Sequence, residues 1–276
     1  GTGRTIQFTN ITPPVAPGTS TLKNDQSTPE TVATLNSASG DYFYVTLKGA
    51  DVKIDENIDL SVGTNKLNKV SIYDSDITVG NGKTIQDVAT PNVAASTNLV
   101  RQKYILGVNN GRTLTNNGTI TLNSTTPDAL KVLVAIGKNT GGITSKAIND
   151  GTITSKINKG IGIYASDGAE GTNNLNKSIT MDGNSAFGMV GSNANTTNEG
   201  NITVNGTSAT GMYSTEPSTV TNPAKTAINR GTITTTGIKN IGMVAENSNI
   251  KNDAAGIIKL NNSTGNVGMY SEGSGG

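Results

Sequence analysis

The sequence predicts an all-β protein, a right-handed parallel β-helix with three short strands per coil, and three observations support this. The first is a two-part unit, Asn229-Arg230-Gly231-Thr232-Ile233-Thr234 followed by Ile241-Gly242-Met243-Val244-Ala245, that recurs through the second half of the chain. Its first part returns at Asn149 to Thr154, in shortened form at Asn176-Lys177-Ser178-Ile179-Thr180, and at Asn198 to Thr203. Its second part returns around Gly162, Gly188, Gly211 and Gly268. The second observation is the spacing. From the central Ile to the following Gly the distance is 9 residues in four units (153 to 162, 179 to 188, 202 to 211, 233 to 242) and 10 in the last, whereas the arc to the next Ile runs 17, 14, 22 and 16. Repeats of 23 to 31 residues mark a solenoid, because a single unit of that size cannot bury its apolar face alone. The third is residue type: Thr, Ile, Val and Tyr bounded by Asn and Gly read as short strands between turns, without helical periodicity.

Each unit supplies a strand around the Ile, a strand around the Gly-Met pair, and a weaker third just before the Asn, as in Ala147-Ile148, Asn174-Leu175 and Ala227-Ile228. Strand alternation puts Ile241, Met243 and Ala245 on one face and Gly242 and Val244 on the other. Four of the five Met residues, Met189, Met212, Met243 and Met269, occupy one position, which reads as a stacked core column of unbranched side chains. Ile153, Ile179, Ile202, Ile233 and Ile258 are expected to form another. The opposite face presents Tyr164, Val190, Tyr213, Val244 and Tyr270 outward.

In chain order, residues 1–113 read as less regular coils. Strands are expected at Arg4 to Phe8, Asp41 to Leu47, Val52 to Ile54, Ile58 to Leu60, Val70 to Tyr73 and Asp76 to Val79. Two long loops, 12–35 with four Pro residues and 87–98 with Pro91, interrupt them, since proline is poorly accepted inside a sheet. Residues 114–276 carry the regular repeats, and no linker separates two cores. The composition suits a thin, continuous core: 33% hydrophobic, 4% aromatic and 15% charged, with 35 Asn and 34 Gly to build turns. The chain reads as a fragment of a longer array.

Charge and missing residue types narrow the chemistry. A net charge of +1 from 21 basic and 20 acidic residues gives no field that gathers nucleic acid. Without His or Cys no Ser-His-Asp triad, Cys-His pair or His-based zinc site can be built, and no metal or cofactor is expected. Carboxylates are the remaining catalytic candidates. The densest acidic group is Asp51, Asp55, Glu56 and Asp59, with Asp74 and Asp76 as a close pair. Both read as solvated strand faces and turns.

The successive Asn-x-Gly-Thr-Ile-Thr and Gly-Met-Tyr/Val-Ala/Ser units between Leu114 and Ser271, in a chain without Cys, resemble the passenger domains of large monomeric, type Va autotransporter adhesins of Gram-negative bacteria. The resemblance implies an extracellular β-helical passenger, a C-terminal outer-membrane β-barrel that anchors it, and adhesion to a host or bacterial surface protein or glycan, as a monomer and without catalysis. A polysaccharide lyase or hydrolase and a purely structural stalk are the alternatives that the fold leaves open. For binding, the widest excursion after a Gly-Met strand, Ser214 to Thr226, lies beside the outward tyrosines. The candidate ligand-binding residues are therefore Tyr164, Tyr213 and Tyr270, with Glu216 and Pro217 of that loop.

Overall fold

The computed structural model describes residues 5–8, 22–24, 29–30, 51–54, 57–59, 76–87, 104–123, 130–217, 225–261 and 264–273. They wind as a right-handed parallel β-helix whose strands fall into three sheets of 11, 8 and 7 members, sheets 1, 2 and 3 below. A coil takes one strand from each sheet in turn, as in Lys146–Asn149, Thr152–Ser155 and Ile161–Ser166, and the next coil begins at Glu170–Asn173. Strands of successive coils pair in parallel and in register. The expected isoleucine column is present, and it extends back through Ile120 and Ile85 to Ile58. From Ile85 to Ile233 its members are fully buried. In sheet 3 the column Leu106, Leu133, Ile163, Met189, Met212, Met243 and Met269 stacks likewise.

The first residues of the chain join sheet 1: Thr5–Phe8 pairs in parallel with Asp51–Ile54. Inside the stretch 12–35, which composition marks as a loop, Leu22–Asn24 and Pro29–Glu30 form short antiparallel strands at the edge of that sheet. An edge is where a strand accepts proline. The strands expected at 41–47 and 70–73 and most of the 87–98 loop lie outside the described residues.

Three turns close each coil. Between sheets 2 and 3 the turn has five residues in four successive coils (156–160, 182–186, 205–209, 236–240) and six in the last (261–266), which is why the Ile-to-Gly spacing is 9, then 10. Between sheets 1 and 2 it has two residues at 150–151, 199–200 and 230–231, but four at 174–177 and 253–256. The longer form corrects one strand assignment. The sheet 1 strand of that coil is Glu170–Asn173, and Leu175 lies in the four-residue turn, exposed. Asn173 rather than Asn176 therefore occupies the repeated Asn position.

That position holds the axis of the structure. Asn116, Asn149, Asn173, Asn198, Asn229 and Asn252 stack as an amide ladder, each Nδ2 donating to the next Oδ1 at 2.7–2.8 Å. The first five are fully buried. The same Nδ2 groups also reach turn carbonyls, as from Asn149 to Gly151 and from Asn198 to Gly200, each at 3.2 Å. A buried amide satisfied on both sides is stabilising, and a chain of them polarises cooperatively.

Alternation in sheet 3 is broken at the second residue of each strand, Ile105 and Val132 in the first two and glycine in the rest. Gly242, Met243 and Ala245 are all buried while Ile241 is half-buried on the outer side, so Ile241 does not share the core face with Met243. The pairing skips the glycine, running from Ile241↔Val267 to Met243↔Met269. A Cβ on Gly211 would lie 2.5 Å from Ile233 Cγ2 and 2.5 Å from the Gly242 carbonyl oxygen. Glycine here is the space into which the isoleucine of the following coil packs, and this contact spans the arc whose length varies in sequence.

Asn198→Ala removes one rung and leaves the Asn173 amide and the Asn229 carbonyl facing a void. The expected cost is about 3 kcal/mol, read as a lower midpoint in urea. Asn198→Asp should cost a similar amount at neutral pH, because its carboxylate faces the Asn229 oxygen. It should recover stability as the pH falls and the acid becomes a donor.

Candidate functional site

Two features coincide on one side of the coils: the outer face of sheet 3 and the corner where sheet 3 turns into sheet 1. On the face, the outward column reads Val134, Tyr164, Val190, Tyr213, Val244 and Tyr270 in register. Tyrosines therefore alternate with valines and do not stack directly on one another. The valines are buried, and beside this column runs another that includes the half-exposed Lys131, Ile161 and Phe187. The Lys131 ammonium sits 3.7 Å from the Tyr164 ring centroid, a cation-π contact, and the Phe187 and Tyr213 rings meet at 5.6 Å and 59°. Phe187 and Lys131 escape a strictly alternating reading, since their outward position follows from the break at the second residue of the strand, Gly188 in one and Val132 in the other.

The five candidate residues differ in what they offer a partner. Tyr213 is half-buried, and its hydroxyl donates to the Glu246 carboxylate one coil on. Burial first, and this bond second, push its pKa from the ordinary 10.0 up to about 12. Tyr270 is 47% exposed in the last described coil, where its hydroxyl donates to Glu272 at 2.8 Å and its pKa is raised by that bond. Glu216 is only 4% exposed, and its carboxylate accepts from the Lys225 N–H. It ties together the two ends of the 216–225 loop, placing Pro217, which is exposed, at the start of the excursion. Residues 218–224 of the loop lie outside the described residues.

A second excursion leaves the same corner three coils earlier. Residues 137–145 form a small hairpin closed by the Lys138↔Thr144 bridge, and they present Ile143 at 60% exposure. Between the two loops the corner is closed by the short turns 167–169 and 193–194, with Asp167 and Asn193 in left-handed backbone conformations. From Lys131 onward the sheet 3 to sheet 1 corner is thus where the coils accept most length.

The carboxylates of the regular coils are occupied. Asp150 pairs with Lys177, Glu170 with Lys146, Glu199 with Arg230, and Asp253 with Arg230 and Lys251, at 3.2–3.5 Å. Asp182 accepts from Asn205, and Asp167 from Ser166. Asp76 accepts the Thr113 N–H at 2.6 Å. The side chains of Asp51, Asp55, Glu56, Asp59 and Asp74 lie outside the described residues. Among the described residues no three acidic, His or Cys side chains gather as a metal would require.

A family model described as the BigA third pectate lyase-like domain matches residues 18–276. The chain belongs to that family. It is accordingly a pectate lyase-like β-helix domain of a BigA-type bacterial surface protein. No curated protein and no solved structure matches it. "Pectate lyase-like" describes the coil architecture, and the chemistry of a BigA-type domain has to be argued from its own side chains.

Because the folded state holds Tyr213 as a neutral phenol, its contribution to stability is complete below pH 10 and is lost as the pH rises towards 12. The side chain is only half-buried, so solvent screening reduces the effect to about 1 kcal/mol. Tyr213→Phe should leave the coils intact near neutral pH. It should also flatten this part of the alkaline loss of stability, as measured by urea midpoints across that range.

Proposed function

We propose that this domain is a non-enzymatic adhesion module, part of a type Va autotransporter passenger that a C-terminal β-barrel of the full-length protein holds outside the outer membrane. The β-helix acts as a rigid monomeric rod, and its sheet 3 face with the adjoining corner loops meets a protein or glycan on a host or bacterial surface. The observation that carries this reading is the coincidence of two extended loops, 137–145 and 216–225, at one corner, which borders the aromatic face. Loops on a rigid scaffold are where binding specificity is usually placed. Tyrosine offers an apolar ring face with a polar tip, a combination that favours interfaces. The carboxylates that a lyase or hydrolase would need are, in the regular coils, engaged in ion pairs and hydrogen bonds that hold turns and neighbouring strands.

The test is attachment of beads carrying residues 1–276 to epithelial cells and to bacteria, alongside an assay for products released from acidic and neutral polysaccharides. Attachment should fall several-fold when Tyr164 and Tyr270 are both changed to Ser, and again when 218–223 is replaced by a short Gly-Ser bridge, with the thermal midpoint little changed. Sugar release from a polysaccharide would establish an enzyme instead. Attachment equal to the unaltered domain in both variants would reduce the face to a spacer.

A further inference from the structure

The corner between sheets 1 and 2, away from the aromatic face, carries a concavity of its own. The four-residue turns 174–177 and 253–256 stand out on either side of the two-residue turns 199–200 and 230–231. Their centres are three coil steps apart, about 14 Å at the usual strand spacing. Between them lies a groove of about 220 Å³, lined by Leu175, Glu199, Asn201, Arg230, Thr232 and Ala255. That volume is below the range of drug-sized pockets and suits one small ring.

Its chemistry is specific. Leu175 forms one wall, a large aliphatic side chain 66% exposed. Arg230 is fixed between coils: Nη1 meets Glu199 at 3.5 Å and Nε donates to Asp253 at 3.3 Å. A guanidinium already held in one plane costs a ligand little ordering entropy, and its Nη2 hydrogens are not used by either contact. Lys251 pairs with Asp253 at 3.2 Å, so the two cations and two anions cancel, and the groove has no field to draw an acid or an amine. What it offers is fixed donors, fixed acceptors and an apolar wall. A neutral sugar has the complementary surface, hydroxyls at its edge and a C–H face.

The groove also opens onto the outer face of sheet 2. Asn201 and Thr232 belong to a column with Thr119, Thr152 and Ser178, and the parallel column is Thr121, Thr154, Thr180, Thr203 and Thr234. Across five coils this face is lined with hydroxyls and one amide and bears no charge. A chain of hydroxylated rings leaving the groove would continue over it.

We propose that this groove binds the terminal hexopyranose of a neutral oligosaccharide, with Arg230 and Glu199 bonding its hydroxyls, Leu175 covering its C–H face and the rest of the chain lying over the threonine columns of sheet 2. This rests on the surface-display reading but places glycan recognition on a different face from the tyrosines.

The experiment is saturation-transfer NMR and calorimetry on residues 1–276. The probes are methyl glycosides and linear trisaccharides of glucose, galactose and mannose, with glucuronic and N-acetylneuraminic acids as charged comparisons. At least one neutral trisaccharide should bind, more tightly than its methyl glycoside, and Arg230→Gln and Leu175→Ser should each weaken it about tenfold. Arg230→Lys, which keeps the charge but loses the planar fork, should weaken it too, whereas Tyr164→Ser should leave it unchanged. Binding that is equal in the folded Arg230 and Leu175 variants, preference for the acids, or no neutral sugar bound would overturn the proposal. A domain that attaches to cells yet binds none of these sugars would refute this site and leave the adhesion reading standing. Sugar binding by a domain that attaches to nothing would do the reverse.

Discussion

The regular coils depend on one constraint, that from Asn116 to Asn229 each coil present its buried Asn at the same height as the coil before. The ladder from Asn116 to Asn252 has no tolerance for a slip, because each of its four interior amides has its donor and acceptor committed along the axis at 2.7–2.8 Å. A one-residue shift in any of the sheet 1 strands from Thr113–Asn116 to Thr226–Asn229 would turn the Asn outward and bring the preceding Thr or Ile into the stack. It would also leave the two neighbouring amides buried without partners, each at a cost on the order of 1–3 kcal/mol. Register is thereby fixed at one corner, and the isoleucine and methionine columns inherit it.

That constraint also decides where the chain is free to vary. Strands must be whole, and from Thr152 onward the sheet 2 to sheet 3 turn delivers a glycine opposite the isoleucine of the next coil, so in those coils the arc between them is nearly invariant. The Gly contact is close enough that a single methyl at Gly162, Gly188, Gly211 or Gly242 would meet an Ile Cγ2 at 2.5–2.7 Å. The earlier coils also lengthen the sheet 2 to sheet 3 arc, to 88–103 and 123–130, whereas from Thr152 onward length is accepted at the other two corners, in moderation between sheets 1 and 2 and more freely between sheets 3 and 1. These are the corners to which the two proposed recognition surfaces belong, and both are consequences of insertion into a stack that cannot move.

Much of this was legible in the residues. The 9-residue arc located the Ile and Gly strands, and four Met at one position marked the inner column, because both patterns are imposed directly by stacking. Strand alternation failed at sheet 3, where the backbone bends at the second residue of each strand, Val132 as well as the later glycines, and puts two consecutive residues inside. Phe187 and Ile161 consequently face outward, which no period-2 reading recovers. The ladder was visible only as a recurrent Asn, and the residue at the third rung was misassigned because Asn176 sits closer to its Ile than Asn173 does. Only the length of the turn, set by stacking with Asn149 and Asn198, selects between them. Of the site, the outward tyrosines were legible from alternation. The role of Glu216 was not, since a buried carboxylate capping the Lys225 N–H depends on two ends of a loop meeting.

Family membership and fold together describe a rod assembled from nearly identical rungs, with surface function carried by what departs from the repeat. The central claim is the continuous buried amide ladder. Hydrogen exchange of side-chain amides, followed by NMR, addresses it directly. The Nδ2 protons of Asn149, Asn173 and Asn198 should exchange more slowly than those of exposed Asn176 by several orders of magnitude, opening only with the coils themselves. Exchange of these amides at the rate of Asn176, in a protein whose strand amides remain protected, would contradict it.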